Sequence, residues 1–208
     1  MNLSIIGPGN VGLSLGKAFA AKGQPVLFGA NDPAKYEAAV ASVTGAQLAT
    51  VAQAIEASDI VILAVPYAAA VDIAASRADW GGRILVDLTN PLAPGLAGLT
   101  IGTTTSGAEE IAKRARNARL VKAFNTTGVE NMLNPHYAAG NVMMPVAGDD
   151  ADARSKVIAL ATLLGLDAFD FGPLAGARFL EPLAMTWIYM AFKLGRGRDF
   201  GFGLLARR

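Results

Sequence analysis

Short apolar runs alternate with alanine-rich runs from one end of the chain to the other. Strand-like apolar runs fall at residues 2–6, 25–29, 46–49, 59–65, 83–88, 119–124, 142–147 and 167–171. Helix-like runs fall at 10–22, 33–43, 51–57, 68–77, 106–117, 151–165 and 176–194. The runs 59–65 and 83–88 are near-continuous in Ile, Leu and Val, the pattern of strands buried on both faces. The alternation predicts an α/β fold: a Rossmann-type, doubly wound, mostly parallel sheet with a short helical C-terminal extension. It predicts a single domain over residues 1–208, with a helical appendage over about 151–208.

Local signals sharpen some boundaries. Asp32 is placed to cap the second helix, with Pro33 at its first position. Asp149 or Asp150 is placed to cap the helix at 151–165, and Gly165 to end it. The apolar stretch 179–194 contains Glu181, Pro182 and Lys193 and is too short for a span, so it predicts a buried helix and no membrane segment.

The first strand-to-helix junction reads Gly7-Pro8-Gly9-Asn10-Val11-Gly12. G-x-G-x-x-G between a strand and a helix is the dinucleotide-binding fingerprint. Gly7 permits the tight turn, Gly9 lets backbone approach a diphosphate, and Gly12 lets helix and strand come close. The first-turn N–H groups of Asn10, Val11 and Gly12 then face the phosphates, with the positive end of the helix dipole behind them. A Rossmann NAD(P)-binding domain follows.

The other crevice positions are the carboxyl ends of the strands. The second ends at Ala30-Asn31-Asp32, where the adenosine ribose is read. Asp32 favours NAD if it faces the ribose; Asn31 and Lys35 favour NADP if Asp32 is only a cap, and the balance leans to NADP. Val65 and Pro66 end the fourth strand and flank the dinucleotide. Asn90 ends the fifth, with Asp87 inside it, and touches nicotinamide or substrate, or else serves only the turn before Pro91. Asn125, Thr126 and Thr127 end the sixth, and Asn90, Asn125 and Thr127 are the substrate-crevice candidates. The Gly/Pro/Thr-rich loop 91–105 borders the same crevice.

Composition narrows the chemistry. Hydrophobic residues are 52% of the chain and charged residues 17%, so a large core is available and disorder is not expected. The net charge of +1, without a basic stripe, argues against nucleic acid as a partner. Without cysteine the chain has no disulfide, thiolate nucleophile or cysteine-ligated metal, which suits a cytoplasmic protein. A strand and glycine loop at the very start leave no room for a signal peptide.

The acid–base inventory is thin. The one histidine, His136, lies in a turn-like Asn-Pro-His-Tyr context. Lys122 lies inside a strand, where it serves as a donor or, as the favoured reading, runs along the ladder to the surface. No His/Asp/Glu set has metal-ligand spacing, so no metal is expected. A crevice poor in general acids suits hydride transfer to an acceptor with its own chemistry, such as a flavin-type ring, better than carbonyl reduction. The aromatic and methionine side chains of 176–194 read as core, as a homodimer interface or as a wall of the acceptor pocket.

Several segments together resemble the coenzyme F-420-dependent NADP oxidoreductase family, and the cytosolic Rossmann domain of the six-transmembrane ferric reductases. They are Ile5 through Gly12, Val65-Pro66, Leu120 through Thr126, Val146 through Asp150, and Asp170 through Leu174. The resemblance implies a cytosolic, often dimeric enzyme moving hydride between NADP and a deazaflavin or flavin. It also implies Ser-Arg at the ribose positions, where this chain has Ala30 and Asn31, and histidine near a deazaflavin, where this chain has Asn125 as the ferric reductases do. Two other readings remain open: a reductase of small imines or carbonyls, and a non-catalytic dinucleotide sensor. The relatives of the imine type carry a large helical domain, whereas only about sixty residues follow the seventh strand here.

Overall fold

The computed structural model describes residues 2–205 and 207. Eight strands form one sheet: β1 (Leu3–Ile6), β2 (Leu27–Ala30), β3 (Gln47–Thr50), β4 (Ile60–Leu63), β5 (Ile84–Asp87), β6 (Arg119–Lys122), β9 (Met143–Gly148) and β10 (Asp167–Asp170). Between β6 and β9 lies a separate two-stranded hairpin, β7 (His136–Tyr137) with β8 (Gly140–Asn141). The order across the sheet is β10-β9-β6-β5-β4-β1-β2-β3. All neighbours are parallel except β6 and β9, which are antiparallel, so β9 and β10 run against the other six. This is a Rossmann-type doubly wound α/β fold, with the strand order reversing at β1.

The helices are α1 (Asn10–Ala21), α2 (Glu37–Ala41), α3 (Val51–Glu56), α4 (Tyr67–Ala75), α5 (Gly107–Ala112), α6 (Val129–Leu133), α7 (Ala151–Leu163) and α8 (Ala177–Ile188), which continues through a wider π turn over Tyr189–Lys193. Apolar cores fill both faces of the sheet. One holds Leu15 and Phe19 of α1, Phe28, Phe124, Met132 and Val157; the other holds Ile55, Ala70, Ala74, Trp80 and Ile111. Every residue of β4 and β5 is buried, as a central strand covered on both sides requires.

Local chemistry explains several ends. Thr50 and Gln53 form a reciprocal capping box at the start of α3. Asp150, not Asp149, caps α7 by accepting from the Ala153 N–H at 2.7 Å. Asp149 instead accepts from the Leu174 N–H at 2.9 Å, and the Gly148 N–H donates to the Gly172 carbonyl at 3.0 Å. Two of the segments that carry the family resemblance thus clasp each other.

Two expectations need correction. Asp32 makes no capping bond, and the expected helix 33–43 is a 3-10 turn, Pro33–Tyr36, followed by the short α2. The turn is too tight and too brief for an Asx cap to organise. The sheet also extends into the stretch expected as a helical appendage, since β10 pairs in parallel with β9, and Arg154 of α7 grips Asp170 at the end of β10 at 2.8 and 3.0 Å.

Candidate functional site

The glycine loop is built as the spacing requires. Gly7 has φ +97°, and a side chain there would strike the Ala64 carbonyl at 2.6 Å. A Cβ on Gly12 would lie 2.1 Å from the Gly7 carbonyl oxygen, so this glycine joins helix to loop. A Cβ on Gly9 would meet nothing within 4 Å. Gly9 caps α1 by backbone alone, and no acidic side chain occupies the first turn. The amides of Asn10, Val11 and Gly12 therefore open toward free space beside Gly9. That cradle fits a diphosphate.

A cleft of about 860 Å³ continues from the loop past the carboxyl end of β2. Gly7, Ala30, Asn31, Asp32, Lys35 and Val65 line it, as do Ile55, Ile73 and Arg77. Its apolar middle suits a planar base between α3 and α4. Lys35 sits over the Tyr36 ring, 5.6 Å from the centroid. Arg77 pairs with Glu56 at 2.6 Å, and this bond, then the charges of Arg83 and Arg77, hold the Glu56 carboxyl below its usual range. Arg77 escaped the sequence reading because it sits a full helix beyond the strand end. Gly9, Asn10, Val11, Gly12 and Pro66 lie at the rim or beyond this cleft rather than among its lining.

The other predicted crevice residues meet across β5 and β6. The Asn90 side-chain N–H donates to the Asn125 carbonyl at 3.1 Å, and the Asn125 side-chain N–H donates back to Asn90 Oδ1 at 3.0 Å. Asn125 also donates to the Leu180 carbonyl of α8 at 3.2 Å. With both its protons committed, Asn125 is 5% exposed and its Oδ1 has no partner; the buried Thr126 hydroxyl has none either. Phe124 makes the turn possible by taking φ +61°, a left-handed conformation unusual for a bulky residue. Thr127 accepts from Asn131 at 2.6 Å. Tyr67, the first residue of α4, stands beside this end; burial first, then the Glu110 charge, push its phenol up, so it stays protonated.

Lys122 overturns its expectation. It does not reach the surface: its side chain is 0% exposed. Its ammonium donates to Asp87 at 2.8 Å, to Glu181 of α8 at 3.1 Å, and to the Thr89 carbonyl. Asp87 also accepts from the Thr89 N–H and hydroxyl, both at 2.8 Å. Glu181 also accepts from the Gly107 and Ala108 N–H groups at 2.9 and 3.0 Å. Nothing in the local sequence signals this; the partners lie 35 positions back and on a helix beyond four further strands. Such full satisfaction is what lets three charges be buried together. His136 is on the exposed hairpin, held to Asn141 at 2.8 Å, and takes no part in the crevice. Among the described residues no cluster of three His, Asp or Glu could hold a metal ion.

Comparison with known proteins bears on the same stretch. The model of the family "NADP oxidoreductase coenzyme F420-dependent" matches residues 2–91, from β1 to just past Asn90. The chain is 28% identical to the F420-dependent NADP reductase of Methanothermobacter thermautotrophicus, over 97% of this chain and 93% of that one. It is 27% identical to the rat metalloreductase STEAP3, over 88% of this chain but only 36% of that protein. A solved structure from Arthrobacter sp., provisionally described as an F420-dependent NADP reductase, superposes with a TM-score of 0.84 at 29% identity, over 99% of this chain and all of that one. Among the described residues no helix is long and apolar enough to cross a membrane.

Proposed function

We propose that the protein is an NADP-dependent oxidoreductase that moves hydride between the nicotinamide and a small acceptor, a flavin-like or deazaflavin ring. The carrying observation is the open cradle at Gly9, at the sheet's topological switch point, continuous with a cleft sized for adenosine. The names of the relatives support NADP as coenzyme and, in the deazaflavin-dependent ones, the acceptor class.

In this reading the Asn10, Val11 and Gly12 amides hold the diphosphate, while Val65, Ile55 and Ile73 flank the adenine. Lys35, at the β2 tip beside Ala30 and Asn31, meets the 2′-phosphate in place of an arginine. Asp32 lines the same cleft without a capping role, which is the observation favouring some use of NAD. Pro66, Asn90, Asn125 and Thr127 border the nicotinamide and acceptor. Asn125 Oδ1, already buried and unpaired, is placed to accept from a carboxamide or ring N–H. Bound nicotinamide would supply the hydride chemistry; the chain orients the ring, and among the described residues Tyr67 is the group placed for proton relay. We take the protein to act as a cytoplasmic homodimer of single-domain chains.

A small imine or carbonyl substrate is the second reading, and the protonated Tyr67 phenol is what favours it. Consumption of NADPH, followed at its absorbance band, against flavins, deazaflavin, imines and ketones separates the two. Turnover with a flavin-type ring alone supports the first. Turnover with imines or ketones alone replaces it. Tight binding of coenzyme with no turnover makes the protein a sensor.

A further inference from the structure

We infer that the buried Asp87–Lys122–Glu181 cluster is an electrostatic device that biases the site toward the oxidised, cationic form of the coenzyme. The inference rests on the nicotinamide reading above and deepens it.

The cluster holds two carboxyl groups and one ammonium, with side chains 0%, 1% and 0% exposed for Asp87, Glu181 and Lys122. Every contact of both carboxyl groups is with a donor. Asp87 accepts three bonds and Glu181 three, the coordination of an anion rather than an acid. The three protons of Lys122 are all used. The cluster therefore keeps one formal negative charge in excess, softened but not cancelled by the α5 amides on Glu181.

Its place gives this charge a target. On each of three elements a cluster residue stands next to the groups that shape the crevice floor. Asp87 precedes Asn90 on β5 and its turn, and Lys122 precedes Asn125 on β6 and its turn. Glu181 follows Leu180, whose carbonyl holds the Asn125 side chain. The charge thus lies within three residues of the Asn90–Asn125 pair along both strand ends, and Lys122 bonds the Thr89 carbonyl next to Asn90. The neighbouring ionic pair, Arg178 with Glu109, is neutral overall, and Tyr67 is protonated. A nicotinamide ring gains a positive charge when it gives up hydride. A buried anion behind it favours the charged product over the neutral reduced ring, and the low dielectric preserves that effect.

The test titrates the whole protein separately with NADP+ and NADPH, for the unaltered chain, Glu181→Gln and Asp87→Asn, with folding followed by circular dichroism. Each variant removes the excess charge and keeps an acceptor. The ratio of Kd for NADP+ to Kd for NADPH should rise roughly three- to thirtyfold, the range expected for one unit charge through protein. General loosening would weaken both forms alike and leave the ratio alone. The rise should persist at high salt, because buried charge escapes screening. Lys122→Met combined with Glu181→Gln restores one negative charge and should return the ratio. A ratio unchanged in the folded variants, with both forms still bound, overturns the inference and leaves the coenzyme reading intact. Failure of the unaltered protein to bind either form overturns both.

Discussion

Asn90 and Asn125 hold each other through two hydrogen bonds of opposite sense, 3.1 and 3.0 Å long, although 35 positions separate them in the chain. The pair takes one Asn125 amide proton, the Leu180 carbonyl takes the other, and the side-chain oxygen of Asn125 is left free. Asn90→Leu and Asn125→Leu should each lower kcat by about ten- to a hundredfold, the effect of losing one positioning contact of about 1.4–2.7 kcal/mol. Coenzyme Kd should change far less. Stopped-flow turnover beside equilibrium titration checks this, and unchanged kcat in both variants would place the acceptor elsewhere.

Gly9→Val should weaken coenzyme binding by about a hundredfold or more, since losing even 2–3 kcal/mol does so. The new side chain meets no protein atom at its Cβ, so the melting temperature should stay within about 2 °C. Retained affinity would show that no diphosphate lies there.

Asn31→Arg should raise the preference for NADP over NAD by about tenfold or more, the worth of one charge-assisted phosphate contact of about 1.5–3 kcal/mol. Competitive titration with the two coenzymes reads the ratio directly. An unchanged ratio would mean that the β2 tip does not face the ribose.

Lys122→Met should destabilise the fold by about 3–5 kcal/mol, because it strands two buried carboxylates. Urea unfolding measures the loss. A cost below about 1 kcal/mol would show that the cluster is not buried in solution.

Glu109→Gln should lower stability near neutral pH but not in acid. The hydrogen bond from Arg178 is the main cause that holds the Glu109 carboxyl below its usual 4.5, ahead of the Ser106 contacts. The folded state therefore binds this proton less readily than the unfolded state. Its stabilisation is complete above about 4.5 and disappears as pH falls through the lowered folded value. The gap in urea midpoint between variant and parent should be constant from neutrality to about pH 5 and close below it.

The succession of strands and most helices along the chain was legible because the central strands β1, β4 and β5 are short, nearly unbroken apolar runs, and the glycine loop marks its own junction. What escaped depends on contacts distant in sequence. Lys122 looked like a surface lysine because nothing near it in the chain announces Asp87 or Glu181. The left-handed Phe124 carries no local mark, since a phenylalanine does not advertise positive φ. The five-residue α6 and the two-residue strands of the His136 hairpin are too short for periodicity to register. Asp32 had the right residue type for a cap, but the tight turn after Pro33 gave its carboxylate no amide to meet.

The reversal of β9 and β10 returns the chain to the far edge of the sheet before α8 begins, so one helix then climbs past Lys122 and Asn125 to meet the loop after β5, where Lys193 bonds the Gly95 carbonyl at 2.9 Å. In the proposed reading, the residues that would grip a coenzyme and the helix that would wall its partner thus come from opposite thirds of one polypeptide. In the proposed enzyme, a lineage could exchange acceptors by rewriting that last helix while its nucleotide grip stayed untouched.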